Sequence, residues 1–65
     1  MDAKAIGRRL VELRGKRTQD EVSRDMGITR SAYAMYEQGN RIPRDEVKKA
    51  LAKYYGTTIQ ALFFD

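Results

Sequence analysis

The chain contains no cysteine, no histidine and no tryptophan, and a single proline in 65 residues. Without cysteine there is no disulfide framework, and without cysteine or histidine the commonest ligands of a structural metal are missing. Packing alone must hold so short a domain. The same absences remove the usual nucleophile and base pairs. No glycine-rich phosphate loop and no recognisable carboxylate pair takes their place, so neither enzyme chemistry nor a cofactor or metal is expected. No apolar run approaches the roughly 20 residues that span a bilayer. The N-terminus lacks the apolar core of a secretory signal. A cytoplasmic chain without a membrane or small-molecule partner is the expectation. Strand-like alternation, internal repeats and low-complexity linkers are absent too.

What remains is a helical pattern. Hydrophobic residues make up 42% of the chain, enough for one small core, and residues 1–65 are expected to form one domain with nothing left over for an effector domain. Ile6, Leu10 and Leu13 share one face of a first helix, about 3–14, with Asp2 as its cap and Gly15 as its end. Gly7 inside it costs about 1 kcal/mol relative to alanine, which points to close backbone packing. Thr18 and Glu21 have the spacing of a capping box, opening a second helix over 19–26 that Gly27 closes, with Val22 and Met26 as its buried stripe. Thr29 caps a third, over 30–38, with Tyr33 and Tyr36 inward and Gly39 as its stop. Pro43, Asp45 and Glu46 suit the start of a fourth over 44–55, whose inner face holds Val47, Leu51, Tyr54 and Tyr55. A short fifth over 58–63 would cover the others with Ile59, Leu62 and Phe63. The four tyrosines read as core residues, not catalysts.

Lysine and arginine outnumber aspartate and glutamate by 13 to 9, a net charge of +4 that favours polyanionic partners. Two short helices joined by a glycine turn present an exposed helix face to DNA when the second lies across the first, and Ser23 is small where they would cross.

The run TQDEVSRDMGITRSAYAMYEQGNRIP resembles the Cro and lambda-repressor-like (XRE-type) family of helix-turn-helix domains, and the similarity continues through the last two helices. Thr18-Gln19, Gly27, Tyr36-Glu37-Gln38-Gly39, Pro43 and the Gly56, Ile59, Leu62-Phe63 tail carry it. The resemblance implies an all-α, five-helix domain that binds double-stranded DNA sequence-specifically and regulates transcription as a repressor or switch protein. Helix three would read the major groove. Arg30, Ser31, Ala34 and Met35 would then face bases: Arg30 with paired donors for a guanine, Met35 or Ala34 against a thymine methyl. Gln19, Thr29, Gln38, Asn40, Arg41 and Arg44 match positions that grip the phosphate backbone. Arg14 and Glu37 match a structural ion pair between helices one and three. Arg8, Arg9, Lys48, Lys49 and Lys53 are expected to be ordinary solvated charges.

One recognition helix covers only about 3 to 5 base pairs, so a homodimer on a near-palindromic site is expected. Phe64, just past the core, is its candidate contact. The alternative reading is a protein-interaction module, such as an antitoxin or antirepressor partner, on the same fold. Several positions depart from the family pattern. Arg17 stands for an apolar residue after a shortened loop, Tyr33 for an aliphatic one, and Asp45 and Lys48 for leucines, so local repacking by tyrosines is expected.

Overall fold

The computed structural model describes residues 1–64, and every regular element among them is a helix. In chain order these are α1 (Ala3–Arg14), α2 (Gln19–Met26), α3 (Arg30–Gln38), α4 (Asp45–Tyr54) and α5 (Ile59–Phe63). Side chains just outside each helix account for most of the starts. Asp2 accepts from the backbone N–H groups of Lys4 and Ala5, and Thr29 and Thr58 accept from those of Ala32 and Ala61. Thr18 and Glu21 complete a reciprocal capping box. Each satisfies donors that a helix start leaves without partners. At α4 the capping position falls to Arg44, whose side chain makes no such bond, and Asp45 and Glu46 complement the helix dipole instead. The helix is therefore shorter at both ends than the spacing predicts, with Arg44 and Tyr55 as flanking residues. Gly27 and Gly39 close α2 and α3 with φ of 70° and 73°, a conformation strained for any residue with a Cβ.

All five helices feed one core. Ile6 and Leu10 of α1, Val22 of α2, Tyr33 and Tyr36 of α3, Leu51 of α4, and Leu62 and Phe63 of α5 are buried together. Full burial of such a side chain contributes roughly 1.5–3 kcal/mol. Met26, expected beside Val22 in the buried stripe, is only partly covered and packs on the edge of this cluster. Ser23 is buried, and its hydroxyl is satisfied by donating to the Asp20 carbonyl at 3.0 Å.

The position of α3 is set by α1. A Cβ on Gly7 would lie 2.3 Å from the Glu37 carbonyl oxygen and 3.0 Å from that of Tyr36, so the two helices meet backbone to backbone. A second close approach lies at the end of α3, where a Cβ on Gly39 would fall 2.9 Å from the Lys4 Cα.

Candidate nucleic-acid interface

Along α3 the burial pattern separates two faces. Tyr33, Tyr36 and Glu37 are turned into the bundle, whereas Arg30, Ser31, Met35 and Gln38 are exposed and Ala34 is half-covered between them. Met35 is 38% exposed, high for a thioether side chain with a core close at hand. The first turn of α3 holds no acidic residue and begins with Arg30, so a cation sits at the positive end of the helix dipole. Among the described residues no hydrogen bond or ion pair engages the Arg30 side chain. The outer face thus offers a free guanidinium, a hydroxyl and two apolar contacts, the donor and methyl-binding groups that base edges in a major groove require.

Behind that face lies a polar network. Arg14 of α1 clasps the Glu37 carboxylate, Nε to Oε2 at 2.6 Å and Nη2 to Oε1 at 3.1 Å, in the forked geometry that makes such pairs strong. The Gln19 Nε2 donates to the same Oε1 at 2.9 Å. Burial alone would raise the Glu37 pKa, but hydrogen bonding by Arg14, Gln19 and Tyr33 outweighs it and holds the carboxyl below its ordinary value. The Tyr33 and Tyr55 hydroxyls meet at 2.6 Å. Burial raises both pKa values, so both phenols remain protonated near neutrality.

The residues expected on phosphates lie around this frame. Gln19 opens α2, partly exposed and tied back to Glu37. The α2 terminus itself already has Asp20 and Glu21 in its first turn, so an anion arriving there depends on the Gln19 amide more than on the helix dipole. Thr29 accepts from the Ala32 N–H, which leaves its hydroxyl proton free to donate outward. Past the end of α3, the Asn40 Nδ2 donates to the Gln38 Oε1 at 3.0 Å. Arg41 and Arg44 follow, exposed and with no side-chain partner among the described residues.

Two expected surface cations behave otherwise. The Arg9 guanidinium donates to the Leu62 carbonyl at 3.0 Å, tying α5 onto α1. Lys48 is only 13% exposed at its side chain and reaches Asp45, because its stem fills space that an aliphatic residue would otherwise occupy. Arg8, Lys49 and Lys53 are exposed. Sequence reasoning missed Lys4, whose Nζ donates to the Gln38 carbonyl at 2.9 Å and so caps the C-terminal end of α3. It also gave Arg17 no partner. The Arg17 guanidinium lies 5.3 Å from the ring centroids of both Tyr54 and Tyr55, and the Tyr54 hydroxyl donates to Asp25 at 2.7 Å. Phe64 is 42% exposed and borders a cleft with Lys48, Lys49 and Ile59. Among the described residues there is no group of three or more potential metal ligands, and no helix is long and apolar enough to cross a membrane.

No solved structure matches the chain. It is similar to the cryptic phage CTXphi transcriptional repressor RstR of Vibrio cholerae, with 38% identity over 47 residues, which is 72% of this chain and 42% of that protein. The chain therefore spans less than half the length of this relative. Residues 8–62 match the helix-turn-helix family. That match runs from within α1 to within α5, so it takes in the whole bundle and not the two central helices alone, and the chain belongs to the helix-turn-helix family.

Proposed function

We propose that this protein regulates transcription by binding double-stranded DNA sequence-specifically, with α3 in the major groove. The observation that carries the reading is the N-terminal end of α3, where Arg30 lies free on an exposed face at a helix end that no acidic side chain neutralises. A cation there opposes the helix dipole at a cost of about 0.3–1 kcal/mol, which an anionic partner would reverse. Arg30 reads a base by paired donors, Ser31 donates or accepts, and Ala34 and Met35 contact a thymine methyl. Gln19, Thr29, Gln38, Asn40, Arg41 and Arg44 position the domain on phosphates. In this role the protein is a binding module without catalytic activity.

The similarity to a phage repressor supports repression, or a switch between two transcriptional states, as the outcome. The chain acts in the cytoplasm as one domain and as a homodimer, with Phe64 at the dimer contact, because one α3 reads too few base pairs to choose a site.

Selection from a random duplex library, followed by titration of the recovered sequence at several salt concentrations, tests this. A two-fold symmetric motif and an affinity that falls steeply with salt are expected. Absence of enrichment, with binding insensitive to salt, would overturn the proposal.

A further inference from the structure

Glu37 is the one buried charged residue among those described, its side chain 4% exposed. Arg14 already occupies both of its oxygens, yet Oε1 also accepts from the Gln19 Nε2 at 2.9 Å. An ionised carboxylate has no proton to give, so only the NH2 end of the Gln19 amide can face it. One N–H is then spent on Glu37. The other N–H of the same nitrogen remains, together with the carbonyl oxygen, on a side chain that is only partly covered. A phosphate, like a carboxylate, only accepts. The single sense in which Glu37 holds the amide is therefore the sense that leaves an N–H for a phosphate. Arg14 meanwhile neutralises the carboxylate, which would otherwise repel an anion close by.

We propose that Glu37 is a positioning residue for DNA binding, holding the Gln19 amide so that its second N–H is presented to a backbone phosphate. Because Glu37 belongs to α3, the phosphate grip at the start of α2 is joined mechanically to the helix that carries the base-reading side chains. The inference rests on the DNA-binding reading given above and deepens it.

The test is a double-mutant cycle on the duplex recovered by selection, using Gln19→Ala, Glu37→Gln and the pair, each checked for folding by its thermal transition. Glutamine at position 37 offers an N–H of its own, so the Gln19 amide loses its enforced sense. Gln19→Ala should weaken binding roughly tenfold to a hundredfold in the natural background, the range of a hydrogen bond to a charged group. It should cost less than about twofold where position 37 is already glutamine. Equal losses in both backgrounds would overturn the proposal, as would no loss in the natural one. Failure of the natural protein to bind any duplex would overturn the DNA-binding reading itself, a distinct result. Should Glu37→Gln not fold, the natural protein still decides the matter. On acidification its Gln19 side-chain amide resonances should shift in step with the Glu37 carboxyl, and resonances indifferent to that titration would sink the idea.

Discussion

The hydroxyls of Tyr33 and Tyr55 lie 2.6 Å apart, one on α3 and the other just past α4, and they tie α3 to the end of α4. Tyr33 is wholly buried, so its hydroxyl has no water to fall back on. Tyr33→Phe should therefore cost about 0.5–1.5 kcal/mol. In a domain of this size that lowers the thermal midpoint by roughly 4–8 °C per kcal/mol. Tyr55→Phe should add little once Tyr33 is phenylalanine, and thermal transitions of the two single variants and the pair measure that coupling.

Gly7→Ala sets two effects against each other. Alanine improves helix propensity by about 1 kcal/mol. The new methyl group, however, would meet the Glu37 carbonyl oxygen at 2.3 Å, and a backbone atom cannot swing aside like the end of a flexible side chain. Overpacking, which costs about 1–3 kcal/mol, should prevail over that gain and leave a net loss of up to about 2 kcal/mol in urea denaturation. A variant as stable as the natural protein would mean that α1 and α3 have more room than described.

Arg30→Glu should separate stability from binding. The exchange removes an opposed cation and adds a carboxylate that complements the helix dipole, each worth about 0.3–1 kcal/mol, so the variant should be more stable by about 0.6–2 kcal/mol. Its affinity for the selected duplex should fall sharply. Calorimetry and a binding titration on one preparation give both values, and a loss of stability would contradict the dipole argument.

Arg30→Ala and Arg41→Ala should differ in kind. Loss of Arg30 should relax preference at one base position in each half-site, by about 1–3 kcal/mol of discrimination. Loss of Arg41 should weaken all sequences alike and reduce the steepness of the salt dependence. Affinities across a panel of single-base variants of the site distinguish the two patterns, and uniform losses for both residues would refute the assignment of roles.

The Glu37 carboxyl, held below its ordinary value of 4.5, makes folding depend on pH. A carboxyl with a depressed folded pKa contributes stability that is fully present above the unfolded value and is lost as pH falls through the lower folded value. Urea midpoints of the natural protein should thus drop on acidification below about 4.5. Glu37→Gln should be less stable at neutral pH by about 1–3 kcal/mol, since Arg14 loses its anion but keeps some contact with water. That variant should show a smaller acid loss, and identical pH profiles would rule Glu37 out as a source of the dependence.

The parts of this fold that could be read in advance are those governed by neighbours a few residues apart. Thr18 with Glu21, Thr29 with Ala32, and the glycines at 27 and 39 act within one turn of chain, so the helix limits follow from local chemistry. Lys4 with Gln38 and Arg9 with Leu62 are different in nature. They join residues 34 and 53 positions apart, and only the assembled bundle brings them together. Arg17 lies between the two cases. Its charge marks a departure from an apolar position and the tyrosines point to repacking, yet nothing local indicates that the cation lies over both rings. At the candidate interface, an exposed face on α3 was legible from helical spacing, while the tie from Gln19 to Glu37 depends on how α2 crosses α3.

The missing side chain at Gly7 also bears on how a site would be chosen. With α1 lying directly on the α3 backbone at Gly7, α3 cannot draw any closer to its support there. A reader that cannot retreat leaves adjustment to the duplex, whose grooves widen or bend more readily at some base steps than at others. Base pairs that no side chain touches would then contribute to selectivity through their stiffness, in proportion to how far the groove must yield to an unyielding helix.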